Sequence, residues 1–177
     1  DGIRDIGVTG VQTCALPIYI GSHTCKALAA EGFSPVVLDN FSTGHRHNIK
    51  WGPIEEGDVS NKGFVAKAIQ KYKPVAVMHF AGSAYVGESM VDPGKYYRNN
   101  TMTTLSLLDV LKEENITKFV FSSTCATYGL PEYLPIDISH PQKPISPYGF
   151  SKFISEQMII EYGRVYGIKY GLLRYFN

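Results

Sequence analysis

Cysteine is scarce: Cys14, Cys25 and Cys125 are the only three in 177 residues. They are odd in number and scattered, at neither metal-ligand nor disulfide spacing, which excludes a disulfide framework and fits a reducing cytoplasm. No apolar run reaches the roughly 18–20 residues of a membrane span. No basic stretch followed by a long apolar one opens the chain, so no signal peptide is expected in it. Neither sign of charge dominates, with 17 basic against 16 acidic residues. That balance argues against a protein that coats nucleic acid or lies on a membrane. Internal repeats and low-complexity linkers are also missing. His45-Arg46-His47 resembles a metal motif but lacks further ligands, so it reads as a solvated loop and no metal is expected.

What is present is an alternation. Val36 to Asp39, Val75 to His79, Phe119 to Ser122 and Tyr170 to Arg174 are short apolar runs. Segments of helical character precede them, at about 21–32, 61–72, 93–114 and 146–166. Strands alternating with helices imply an α/β fold with a doubly wound parallel sheet, and continuous apolar strands imply that both its faces are covered. Asp92 and Pro93 open the longest helix as N-cap and first helical residue. Asn99 and Asn100 then fall in its interior, where Asn is a poor helix former. His140 to Pro147 is a Pro-dense loop leading to Tyr148.

Tyr148 and Lys152 stand one helical turn apart on one face. The pair alone is weak, since twelve tyrosines make roughly one such spacing expected by chance. Its context is stronger: it follows a strand ending in Ser122-Ser123-Thr124. A phenol is a poor base at its free pKa of about 10. A cation one turn away is expected to lower that value, and a nearby hydroxyl can bond the same substrate oxygen. This set suits the movement of a proton and a hydride at an alcohol carbon. Asp39 ends the second strand roughly 20 residues beyond Gly21, where a dinucleotide fold places an acid on the adenosine ribose. An acid there repels a 2′-phosphate and favours NAD over NADP; the plain alternative is a turn Asp. Gly57-Asp58-Val59 and Phe80-Ala81-Gly82 put small residues after strands, where a cofactor can approach the backbone. Each is equally a simple turn when read singly. Asn99 either caps a loop or faces the nicotinamide.

Together these residues carry a family resemblance. From Tyr19 to Asn177 the chain resembles the UDP-glucose 4-epimerases of the extended short-chain dehydrogenase/reductase superfamily. The carrying segments include Tyr19-Ile20-Gly21-Ser22-His23-Thr24, Leu38-Asp39-Asn40-Phe41-Ser42-Thr43-Gly44, His79-Phe80-Ala81-Gly82, Ser122-Ser123-Thr124-Cys125-Ala126-Thr127-Tyr128-Gly129, Ser146-Pro147-Tyr148-Gly149 with Lys152, and Arg174-Tyr175-Phe176-Asn177. The resemblance implies a Rossmann-type domain and catalytic Thr124, Tyr148 and Lys152. It implies NAD contacts from Ile20, Gly21, Asp39, Asn40, Asp58, Val59, Phe80, Ala81, Gly82, Asn99, Ser122, Tyr148, Lys152, Tyr175 and Phe176. It implies a UDP-sugar substrate touching Thr124, Tyr148 and Asn177, a cytoplasmic homodimer through the two long helices, and interconversion of UDP-glucose and UDP-galactose. UDP-pentose or UDP-uronate epimerisation, or a non-catalytic NAD-binding domain, remain alternatives. A 4,6-dehydratase would carry an acidic pair where Cys125 and Ala126 stand.

The departures matter as much. The family pattern needs Gly-x-x-Gly-x-x-Gly before the first helix. Aligned back from Tyr19, Ala15 and Ile18 take the first two glycine places and only Gly21 survives. Ala84 stands where some relatives have a cofactor-binding Lys. Residues 1–18 resemble an in-frame translation of a sequencing adapter, so the expected organisation is a non-native segment 1–18 and a truncated NAD-binding domain 19–177. The substrate domain is expected to be missing, and the chain as it stands to be inactive. No phosphate-binding role is expected of Val8-Thr9-Gly10.

Overall fold

The computed structural model describes residues 7–11 and 17–176. Six strands form one parallel sheet in the order β3-β2-β1-β4-β5-β6. They are β1 (Gly7–Val11), β2 (Ser34–Asp39), β3 (Ile54–Glu56), β4 (Ala76–His79), β5 (Lys118–Thr124) and β6 (Lys169–Tyr175). The order reverses at β1, which pairs with both β2 and β4. A doubly wound sheet opens its ligand crevice at such a reversal, beyond the strand C-termini. Those ends carry Asp39, His79, Thr124 and Tyr175, so the anticipated fold class is the one observed. Val8, Thr9 and Gly10 lie within β1; Ala15 lies outside the described residues.

The helices are α1 (Pro17–Ala30), α2 (Lys62–Tyr72), α3 (Val86–Val91), α4 (Pro93–Tyr96), α5 (Thr103–Glu113) and α6 (Pro147–Tyr166). Local chemistry sets their ends. The Asn61 side chain accepts from Phe64 N–H and opens α2, and Ser146 does the same for Gly149 N–H with Pro147 at the start of α6. Gly167, at φ 74°, closes α6 in the left-handed conformation. Val36, Val37 and Leu38 of β2 are buried, as are Phe119 and Phe121 of β5, Leu107, Leu108 and Leu111 of α5 and Ile159 of α6. Each such side chain contributes about 1.5–3 kcal/mol on burial, so the helical layers are held to the sheet by this core.

Two expectations need correction. The segment 93–114 is not one regular α-helix: Tyr97–Met102 between α4 and α5 is π-helical. Widening the turn loosens the backbone bonds, and hydroxyls take up the freed carbonyls. Thr103 Oγ1 donates to Arg98 O at 3.2 Å, and Thr104 Oγ1 to Asn100 O at 2.7 Å. The first helix starts at Pro17 rather than near residue 21, because Pro is well suited to a first helical turn.

Candidate active site

Tyr148 and Lys152 project from the first turns of α6 toward the end of β5. The Lys152 side chain is buried; Nζ donates to Ser122 O at 3.0 Å and lies 4.7 Å from the centre of the Phe121 ring. Thr124 Oγ1 accepts from Ala126 N–H at 3.1 Å, which leaves its own proton for the Tyr148 phenol. The edge of Tyr96 meets the Tyr148 ring at 6.2 Å. Burial pushes the phenol above its ordinary value, and the Thr124 hydrogen bond only partly opposes this. The downward shift expected from Lys152 is therefore not the net result in this arrangement. Ser122 also meets Tyr175, whose phenol is raised by burial against a hydrogen bond from Ser122.

Asp39 is 1% exposed at the end of β2. Its carboxylate accepts from Phe41 N–H at 2.8 Å, and no cation among the described residues lies within ion-pair distance. Burial raises its pKa to about 6, opposed by the backbone N–H groups of Phe41 and Asn40. Beside it, Asn40 Nδ2 reaches Asp58 Oδ2 at 3.4 Å. Burial is the largest single influence on Asp58 and pushes it up, but hydrogen bonds from Ser60 and Asn40 together hold it below its ordinary value. Asn40, Asp58, Val59, Gly82 and Asn99 line one polar cleft of about 480 Å³. Ile20 and Tyr175 line a separate, mostly apolar groove of about 520 Å³.

The other expected contacts are less direct. Phe80 and Ala81 are buried behind Gly82 and line neither groove, and Gly21 is buried in α1. Phe176 stacks on Tyr128 at 6.1 Å. Asn177 lies outside the described residues.

A nucleotide fits what is described. A buried, cation-free carboxylate at a strand end is suited to accept ribose hydroxyls. Gly82 leaves space that a Cβ would fill, at 2.7 Å from Asn100 Oδ1 and 3.3 Å from Lys152 Nζ. Residues 12–16, where the glycine pattern is disrupted, lie outside the described residues.

Sequence reasoning missed the scaffold behind these groups. Asn100 Oδ1 accepts from Ser83 N–H at 2.7 Å, while Nδ2 donates to Ser83 O and to Ser151 Oγ, both at 3.0 Å. Asn99 adds a bond to Ser83 Oγ at 3.1 Å, and Thr101 one to Ser151 O at 3.2 Å. The π turn thus grips both the loop after β4 and the helix turn between Tyr148 and Lys152. The Asn pair inside an apparent helix was its one visible signal. His79 lies beneath. Thr104 gives its proton to Asn100 O, so His79 Nε2, 3.2 Å from Thr104 Oγ1, carries its own. Nδ1 has no hydrogen-bond partner among the described residues. Burial, then the charge of Lys152, lowers the pKa of this histidine to about 3 and keeps it neutral.

The Asp39 carboxylate has a consequence for stability. Its folded pKa lies above the ordinary 3.8, so the fold favours the protonated form. The associated stability is full below about pH 4 and is lost as pH rises through about 6, a difference of roughly 3 kcal/mol. Asp39→Asn is expected to stabilise the unliganded chain at pH 7.5 and to flatten its stability profile between about pH 4 and 6. Urea unfolding of both proteins at several pH values checks this. Parallel profiles would mean that the carboxylate is not held protonated by the fold.

Similarity to known proteins is found at three levels, family, sequence and structure. The family model described as NAD dependent epimerase/dehydratase matches residues 16–177. The chain is 50% identical over 159 residues to a UDP-glucose 4-epimerase of Rhizobium leguminosarum bv. trifolii, covering 90% of this chain and 49% of the relative. Among solved structures, the UDP-glucose 4-epimerase of Brucella ovis in complex with NAD superposes with TM-score 0.93 at 49% identity, covering 97% of this chain and 52% of the other. That of Thermotoga maritima with UDP-glucose gives TM-score 0.90 at 28% identity, covering 97% and 56%. The chain therefore spans about half the length of the relatives it matches.

Proposed function

Because this chain belongs to the NAD dependent epimerase/dehydratase family, we propose that the protein it represents is a cytoplasmic 4-epimerase that interconverts UDP-glucose and UDP-galactose with bound NAD. The observation that carries this is the meeting of Thr124, Tyr148 and Lys152 at the sheet edge, next to a cleft bordered by Asn40 and Asp58. The relatives reported favour a hexose substrate over a pentose or uronate, and the intact three-residue set argues against a non-catalytic role.

In this reading residues 19–177 form the cofactor-binding part. Asp39 accepts the adenosine ribose hydroxyls, Asn40, Asp58 and Val59 border the adenosine, and Lys152 with Tyr148 holds the nicotinamide ribose. NAD, when bound there, would supply a two-electron acceptor and donor for the hydride at the sugar C4. Tyr148 as phenolate removes the proton of the sugar 4-hydroxyl and later gives it back. Thr124 hydrogen-bonds the same oxygen, and Lys152 supplies positive charge beside it. Neutral His79 leaves Lys152 as the cation beneath the site. Oxidation and reduction at one carbon leave the overall redox balance unchanged.

Met102, Leu105 and Phe150 are exposed on the π segment, α5 and α6, and support a homodimer through these helices. No helix among the described residues is long and apolar enough to cross a membrane. The test is formation of UDP-galactose from UDP-glucose by a protein spanning the full length of its relatives. NAD-loaded protein that turns over neither sugar would overturn the reading.

A further inference from the structure

Arg98 is the one cation among the described residues lining the polar cleft. It belongs to the π turn, beside Asn99. Asn40 and Asp58 also line this cleft, as do Gly82 and Ser83. Neighbouring cations are engaged: Lys95 pairs with Glu88 at 2.5 Å, Lys62 with Asp109 at 2.5 Å, and Lys152 with Ser122 O. The Arg98 guanidinium has no carboxylate within ion-pair distance among the described residues. It lies against Gly94, where an added Cβ would stand 3.1 Å from Nη1. The side chain is exposed, and no hydrogen bond or ion pair to it is found among the described residues.

The charge balance of the cleft gives that cation a task. Asp58 in the cleft, and Asp39 buried at the adjoining end of β2, suit hydroxyl and amine groups of a nucleoside, but they repel phosphate. A dinucleotide must nevertheless bring its charged linkage past them. Arginine presents a planar fork that matches phosphoryl oxygens and remains charged at every accessible pH. We propose that Arg98 binds a phosphoryl group of the cofactor, its guanidinium swinging from Gly94 into the cleft. This rests on the dinucleotide reading above. The phosphoryl group could come from the bridging diphosphate or from a ribose 2′-phosphate; Asp39 disfavours the second.

The test uses the 177-residue chain and three probes: adenosine, ADP and adenosine 2′-monophosphate, titrated by calorimetry at low salt. ADP should bind about tenfold more tightly than adenosine. In Arg98→Gln that advantage should vanish while adenosine affinity stays the same. Arg98→Lys should keep only part of it, because the charge remains without the fork. An Arg98-dependent advantage for the 2′-monophosphate instead of ADP would assign the contact to a 2′-phosphate. An ADP advantage that survives Arg98→Gln, or no advantage or binding in the original chain, overturns the proposal. Asp39→Asn separates the two levels of inference. If it leaves adenosine binding unchanged, the dinucleotide reading fails at its ribose, whatever Arg98 does to ADP.

Discussion

Tyr148→Phe should lower kcat of the full-length protein by about 10²–10⁴-fold, with NAD still bound. The substitution removes one oxygen and keeps the ring that packs against Tyr96. Stability should therefore change little, while the proposed proton-exchanging group is lost. The phenol stands above its ordinary range, through burial first and against the Thr124 hydrogen bond. Unaided, it is protonated at neutral pH and a poor base. An adjacent positive charge favours the phenolate, and oxidised NAD carries one on its ring. The ultraviolet phenolate signal of the full-length protein should thus titrate at lower pH when NAD is bound, and this component should be missing in Tyr148→Phe. Thr124→Val should move the titration upward by removing a donor to the phenolate. Undiminished turnover by Tyr148→Phe would show that another group is the base.

Glu156→Gln should destabilise the fold by about 3–5 kcal/mol. Glu156 is fully buried, and the Arg174 side chain is 18% exposed. The carboxylate accepts from Arg174 Nε at 3.0 and 3.2 Å, from Nη2 at 2.7 Å, from Gln142 at 2.8 Å, and from the Ser123 hydroxyl. Arg174 also donates to Tyr128 Oη at 2.8 Å. One buried anion thus joins α6, β5, β6 and the loop before α6. Glutamine keeps the shape but leaves a largely buried guanidinium without its counter-charge. Exposed pairs such as Arg46–Glu56 contribute far less, about 0–1 kcal/mol each. Urea unfolding of Glu156→Gln and of Glu156→Leu/Arg174→Met checks the argument. The double variant should recover part of the loss, because no unpaired charge remains. A loss under about 1 kcal/mol in the single variant would mean that the pair is not buried in solution.

Periodicity and residue chemistry placed most of the skeleton. Apolar runs at 36–39, 75–79 and 119–122 read as covered parallel strands. The run at 170–174 is also a parallel strand, but it ends the sheet, and Tyr170 and Leu173 are exposed rather than covered. Tyr148 and Lys152 read as sharing one helix face, since four residues nearly complete a helical turn. Asp39 could be placed at a strand end because the run before it is apolar throughout. These are local properties, carried by neighbours in the chain.

The tertiary structure decided what depends on distant partners. Asn100 joins Ser83 and Ser151, which are 17 and 51 residues away, and no local pattern encodes those pairings. The π turn that makes them possible interrupts a segment whose composition reads as helix. Burial brings Glu156 and Arg174 together although they stand 18 residues apart. The tautomer of His79, the raised phenol of Tyr148 and the position of Arg98 at the cleft, with no ion-pair partner among the described residues, have the same origin. Residue types determine which groups can ionise or hydrogen-bond. The folded environment sets how far each is removed from water and which partner faces it, and those two quantities govern its chemistry.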